Sequence, residues 1–296
     1  MNIAVDRSAL EGATVFTAPC RTTRVTLGMP ELCLGGVSET WLLKLCGDLH
    51  WRLLAEVCGV AAADFRDATG DKVYAAFCAV QSQGLALDAF AEHDELTIRS
   101  EMTRTSRTRF ATTHRLQRRG GAAAGSIALL STFVKRAEGG CNRSIAKVVL
   151  PGLPAWDGLS RGAAIAALPA QLRRGRWTEH RGFTCGDESD IGHIDVRPCP
   201  TQDFNGAELM YFCAYQAFAD RAEWDLLDLP ARGVAVRARE IVYHGNLEPG
   251  ARLTVRLRGL KRRPGAVGHW IALEAAADGR PLADVFTTKT TGFPDP

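Results

Sequence analysis

The chain has 296 residues and lacks the signatures of the commonest enzyme chemistries. It holds no G-x-G-x-x-G on a strand-to-helix turn, no P-loop and no H-E-x-x-H. Nucleotide, nicotinamide and zinc-protease sites built on those motifs are therefore not indicated. Nine cysteines are present, an odd number with no C-x-x-C pair, which argues against a disulfide framework and against a zinc site. Cys46, Cys78 and Cys213 lie in apolar segments, where a free cysteine acts as a small core residue. That usage fits a reduced, cytoplasmic protein. No apolar run is long enough to span a bilayer. Met1 to Pro19 carries Asp6 and Glu11 without a sustained apolar core, so no secretory signal is expected. The net charge of only +3 gives no reason to expect nucleic acid as a main partner. Basic residues do cluster at Arg118-Arg119, Arg173-Arg174-Arg176 and Lys261-Arg262-Arg263. Such clusters are solvated strand ends and linker residues, or a docking surface for an acidic partner or a phosphate-bearing cofactor.

What the chain does have is a pattern stated twice. Leu42, Leu45, Cys46, Leu49, Leu53 and Val57 mark a helix from about Ser38 to Glu56 with one buried face. A second helix is expected from Ala207 to Trp224, apolar nearly all round and hence buried on most sides. Each follows a glycine, Gly35-Gly36 in one case and Asn205-Gly206 in the other. Leu96-Thr97-Ile98-Arg99 follows the first helix and Leu253-Thr254-Val255-Arg256 the second, both with the alternation of a half-exposed strand. Val73 to Val80 reads as a strand buried on both faces. Arg118 to Gly125 reads as a glycine-rich turn between strands. His269 to Ala277, the Asp278-Gly279 turn and Leu282 to Thr288 read as a hairpin. The halves close on Ser131-Thr132-Phe133 and Phe286-Thr287-Thr288. One helix wrapped by a curled antiparallel sheet, made twice, outlines an α+β double hotdog, a fold that handles acyl thioesters. The expected organisation is an N-terminal hotdog over 1–136, a linker over 137–190 and a C-terminal hotdog over 191–296. The linker holds Gly139-Gly140, Pro151, Pro154, Pro169 and a short helix within Gly162–Leu172.

Few residues could carry chemistry. Asp203-Phe204-Asn205-Gly206 precedes the second helix, where backbone N–H groups and the helix dipole can polarise a thioester carbonyl. Asp203 is either a nucleophile or base, as in hotdog thioesterases of the hydroxybenzoyl-CoA type, or an N-cap. Asn205 and the N–H of Gly206 are candidate donors. Gly36 is the first-half counterpart of Gly206, but Cys33 stands where Asp203 would be. His50, on the first helix, is either half of a dehydratase-like proton-transfer pair or structural. Tyr74 is a hydrogen-bond donor or a half-buried core residue. Ser131 is a further candidate for contact with substrate. No metal ligand set is found.

Gly47-Asp48 with Trp51, Ala68-Thr69-Gly70 with Tyr74 and Phe77, Ser131-Thr132-Phe133, Asp203-Phe204-Asn205, Tyr211-Phe212 and Ala222-Glu223-Trp224 together resemble the double-hotdog acyltransferase/decarboxylases of the leinamycin polyketide pathway and their relatives. The resemblance covers roughly Gly28 to Lys289. It implies an enzyme that takes methylmalonyl-CoA, releases carbon dioxide and loads the propionyl group on the phosphopantetheine arm of an acyl carrier protein, with no tightly bound cofactor. The family's functional tyrosine corresponds to Tyr74, with the role of receiving the acyl group. Two other readings stay open: a hotdog thioesterase or dehydratase using Asp203 or His50, and a non-catalytic module that binds acyl-CoA or a carrier protein. A monomer or a homodimer is compatible with a fold that already contains its own pairing.

Overall fold

The computed structural model describes residues 18–137, 141–153, 164–173, 177–186 and 191–292. Of the features named above, Met1 to Thr17, Gly139-Gly140, Pro154, Gly162 and the pair Arg174 and Arg176 lie outside them.

The first half runs β1 (Cys20–Thr26), α1 (Glu39–Val57), β2 (Lys72–Gln83), β3 (Glu95–Arg104), β4 (Arg109–Arg118) and β5 (Ala123–Arg136). The second half runs β6 (Gly192–Val196), α2 (Phe212–Leu226), β7 (Val234–Tyr243), β8 (Leu253–Arg263), β9 (Ala266–Ala275) and β10 (Pro281–Thr291). All pair antiparallel in one sheet, in the order β1-β3-β4-β5-β2-β7-β10-β9-β8-β6. Read from either edge, that order is an entry strand, then the second, third, fourth and first strands after the helix. The double hotdog is thus a palindrome about the β2–β7 seam. The sequence repeat marked equivalent places: Leu96 and Leu253 begin matching stretches of β3 and β8, and Ser131 and Thr287 lie on the matching strands β5 and β10.

Helix α1 starts where expected. Ser38 caps it by accepting a hydrogen bond from Trp41 N at 3.3 Å, which satisfies one of the N–H groups left free at a helix start. Its face of Leu42, Leu43, Cys46, Leu49, Leu53 and Leu54 is buried, each leucine contributing about 1.5–3 kcal/mol. The helices lie against one another at Gly47. A Cβ there would meet the Phe212 ring at 2.9 Å, so only a glycine admits this approach.

Helix α2 differs from the sequence expectation in two ways. It begins at Phe212, five residues later. The Asn205 side-chain oxygen accepts from Ala207 N and Leu209 N, and Met210 is held through both N and O by the Asn246 amide. Those bonds close a non-helical turn over 205–211. Nor is α2 apolar all round. Trp224 is 60% exposed, while the polar Gln216 and Glu223 are buried, because Gln216 bonds to Thr40 on α1 and Asp220 on α2, and Glu223 to His269 and Lys289 on the sheet. The expectation that Val73–Val80 is buried on both faces is also corrected. Val73, Ala75 and Phe77 enter the core, but Tyr74, Ala76 and Cys78, on the opposite face of β2, are half-buried.

The connecting segment is part of the fold. Ile165, Leu168, Leu172, Trp177 and Phe183 pack with Ala79, Ala111, Leu130, Val242, Trp270 and Phe286 on the sheet face turned away from the helices. Its His180 and Arg181 bond to Glu240, which also accepts from Gln81 across the seam. Among the described residues no helix is long and apolar enough to cross a membrane.

Candidate functional site

The seam pairs only Arg239↔Ser82, Glu240↔Gln81, Ile241↔Val80 and Val242↔Ala79. Beyond Val242 the halves part. The gap opens into a cavity of about 680 Å³, within the range of small-molecule sites. One wall is the β2 stretch from Val73 to Cys78, with residues of both its faces, Tyr74 among them. Opposite stand the turn over 205–211 and the loop His244-Gly245-Asn246 that leaves β7, with Arg280 beside them. Asn142, Arg143, Ile145 and Lys147, from the segment after β5, close another side. The start of α2 reaches the cavity through Phe212, so the positive end of the helix dipole is close by.

Three of the sequence candidates meet here: Tyr74, Asn205 and Gly206 all line the cavity. With its oxygen committed to the turn, Asn205 has only its Nδ2 amide left to offer, and no hydrogen bond joins that amide or Gly206 N–H to another described residue. Lys72 stands 5.6 Å over the Tyr74 ring.

The other candidates lie elsewhere. Asp203 is buried, accepts from Cys199 N at 2.7 Å and does not line the cavity. The bond closes the helical turn Pro200–Asp203, and the Asp203 carbonyl accepts from Tyr211 N. His50 and Ser131 meet one another at 2.8 Å beneath α1, with Thr112 bonded to the second His50 nitrogen at 2.6 Å. His50 is fully buried, and burial first, then the neighbouring His114, pushes its pKa down to about 3. The imidazole is therefore neutral at ordinary pH. Gly36 sits in the small hairpin before α1, where a Cβ would come within 2.1 Å of the Leu87 carbonyl.

Sequence reasoning passed over the loop after β7 and the role of Asn142, Arg143, Lys147 and Arg280. The compact run Tyr243-His244-Gly245-Asn246 at a strand end was the available signal. In the structure the Tyr243 hydroxyl donates to the Phe212 carbonyl at 2.9 Å and the Tyr215 hydroxyl to the Gly245 carbonyl at 2.9 Å. These bonds lock the loop to the start of α2. Arg280 donates to the Asn246 carbonyl, and its buried Nε has no partner among the described residues.

The lining is electrostatically one-sided. Among the described residues it holds Arg143, Lys147 and Arg280 and no aspartate or glutamate. Arg143 and Lys147 are exposed, although Arg143 also pairs with Asp278 at 3.2 Å. The Lys261-Arg262-Arg263 cluster belongs to the opposite end of β8 and β9 from Arg280, roughly 30 Å away along the strands.

No protein-family model and no curated protein matches the sequence. Solved structures share the fold. The 12:0-ACP thioesterase from Umbellularia californica superposes with a TM-score of 0.65 at 8% identity, over 92% of this chain and 94% of that one. A protein described as an oleoyl thioesterase from Lactobacillus plantarum gives 0.64 at 14% identity, over 94% and 97%. An acyl-ACP thioesterase from Bacteroides thetaiotaomicron gives 0.58 at 9% identity, over 91% and 97%. At such identities the likeness establishes the fold and leaves the chemistry to the site.

Proposed function

We propose that this protein is an acyltransferase/decarboxylase that takes methylmalonyl-CoA, releases carbon dioxide and loads the propionyl group on an acyl carrier protein. The observation that carries this reading is the cavity lining: three cations, free amide donors and four tyrosines, Tyr74 among them, with no carboxylate among the described residues. A malonyl-type acyl group brings its own carboxylate, and CoA and the carrier helix bring further negative charge. Cations at the mouth favour all three. Loss of carbon dioxide breaks the carbon–carbon bond to that carboxylate. The electron pair passes through the α-carbon into the thioester carbonyl as an enolate, and hydrogen-bond donors aimed at the carbonyl oxygen lower that barrier. Asn205 Nδ2 and Gly206 N–H are the donors we assign, reinforced by the start of α2. Tyr74 is assigned to receive the acyl group before the carrier thiol takes it.

The second reading is hydrolysis of an acyl thioester, favoured by the description of the structural neighbours as thioesterases. It needs a base to activate water. Neither of the bases the sequence offered lines the cavity: Asp203 is held by Cys199 N and His50 is buried with Ser131 and Thr112, which leaves His244 as the imidazole in the lining.

The test is incubation with methylmalonyl-CoA and a holo carrier protein, followed by mass spectrometry of the carrier. A propionyl adduct is expected, and Tyr74→Phe should abolish it. Free propionate or methylmalonate without an adduct would favour hydrolysis. Undiminished loading by Tyr74→Phe would overturn the role given to that residue.

A further inference from the structure

One buried histidine–aspartate contact lies at the cavity and takes no part in joining the two halves. The His244 Nε2 meets Asp284 Oδ2 at 2.8 Å, and the other Asp284 oxygen accepts from Trp270 Nε1 at 2.9 Å. The Asp284 side chain is 9% exposed and that of His244 13%. Asp284 faces a dry wall. Trp270 stacks on Phe286 at 5.7 Å and takes the edge of Trp177 at 5.0 Å. A carboxylate placed there is costly to desolvate, and an apolar residue of similar size would stabilise the fold as well or better. The arrangement has one clear geometric product. It fixes the imidazole orientation and makes Nε2 the bonded nitrogen. Nδ1 is left with no hydrogen bond to any described residue, on a residue that lines the cavity. A histidine oriented by a carboxylate, with its second nitrogen free beside bound substrate, is equipped to carry protons.

We propose that His244, positioned by Asp284, is the general acid–base of this site. The proposal rests on the acyl-thioester reading above and supplies what that reading leaves unassigned, a source and acceptor of protons. After carbon dioxide departs, protonated His244 gives its Nδ1 proton to the α-carbon. The enolate pair forms the new C–H bond, and propionyl-CoA results. Neutral His244 then takes the proton of the Tyr74 hydroxyl as its oxygen attacks the thioester carbon. The C–S bond breaks, and CoA leaves with the returned proton. In the second transfer the carrier thiol gives its proton to His244 as sulfur attacks, the ester bond to Tyr74 breaks, and the tyrosine oxygen recovers the proton. One proton drawn from solvent balances the lost carbon dioxide and restores the starting state. Asp284 does not touch substrate; it is a positioning residue. The same pair explains why the cavity can work without a carboxylate in its lining, since Asp284 lies behind the imidazole.

The test compares the unaltered protein with His244→Asn and Asp284→Asn, measuring carbon dioxide release, carrier loading, affinity for a non-decarboxylating acyl-CoA analogue, and the pH dependence of kcat/KM. His244→Asn is expected to lower kcat by roughly 10²–10⁴-fold, to bind the analogue within a few-fold of the unaltered protein, and to lose a limb of the pH profile. Asp284→Asn is expected to lower kcat less and to displace that limb. Should His244→Asn fail to fold, the pH profile of Asp284→Asn decides in its place. If the unaltered protein turns over but both variants keep its kcat and profile, the dyad is refuted and the acyl-thioester reading stands. If the unaltered protein consumes no acyl thioester, both are refuted.

Discussion

Replacing Arg239 with leucine should cost more than any other single change to the seam. Arg239 lies on β7 with no exposed side-chain surface, and its guanidinium reaches three elements. Nε donates to Glu39 at the start of α1 at 3.0 Å, Nη2 to Asp220 on α2 at 2.7 Å, and Nη1 to Thr287 on β10 at 3.1 Å. Lys289 is the other cation of the cluster. It bonds to Glu223 and stands 3.6 Å from Asp220. By ordinary charges the group holds two cations against Glu39, Asp220 and Glu223. Removing Arg239 leaves one cation against three carboxylates, two of them buried. Breaking a buried pair by deleting one partner costs about 3–5 kcal/mol, a large part of the roughly 5–15 kcal/mol that holds a domain together. A melting temperature lower by roughly 10 °C follows. Burial already pushes the Glu39 carboxyl up, and Arg239 is the main opposing influence. Without Arg239 the native state holds a proton on Glu39 more tightly than the unfolded chain does. The deficit should therefore be larger at pH 8 than at pH 5.5, because lowering the pH through that raised pKa favours the folded form. Urea titrations followed by tryptophan fluorescence, at both pH values, measure this. Adding Glu39→Gln to the variant should recover part of the loss, giving a coupling energy. A loss below about 1 kcal/mol, or the same loss at both pH values, would refute the reasoning.

Two further outcomes are expected. Asp203→Asn keeps an oxygen that can accept from Cys199 N, so it should load the carrier at nearly the unaltered rate, whereas Asp203→Ala should loosen the turn and lower kcat/KM; a loss on the order of 10³-fold in Asp203→Asn would instead make the carboxylate catalytic. His50 and His114 are both pushed down to about 3 by burial, while their unfolded values stay near 6.5, so the stability they hold above pH 6.5 should drain away as pH falls toward 3. His114→Asn should flatten that acid limb of the urea midpoint, and an unchanged slope would show that His114 does not contribute to it.

Much of the architecture was legible in the chain. Helix periodicity and strand alternation are local properties, set by which side of an element meets water, so α1, the β9–β10 hairpin and the matched strands β3 and β8 stand where their patterns put them. The Ser38 cap and the glycines before each helix belong to the same local chemistry. Reading failed where one residue type serves two environments. Trp224 looked like core and is solvent-exposed, while Glu223 is buried with His269 and Lys289. The half-buried alternation of Tyr74, Ala76 and Cys78 was hidden among apolar letters, because a cavity wall and a core demand the same residues.

The sequence by itself determined that the chain repeats one helix-and-sheet unit and that the copies have diverged, with Tyr74 in one and Asp203-Asn205 in the other. Tertiary structure alone decided what those residues meet. The seam ends after four pairs, and the strands then diverge. That divergence puts Tyr74, Asn205, Gly206 and His244 in the lining of one cavity, and leaves Asp203 and His50 within the protein interior. Register between strands more than 150 residues apart is fixed by the packing of both helices and by the Arg239 and Glu240 networks, a collective balance that no local pattern encodes.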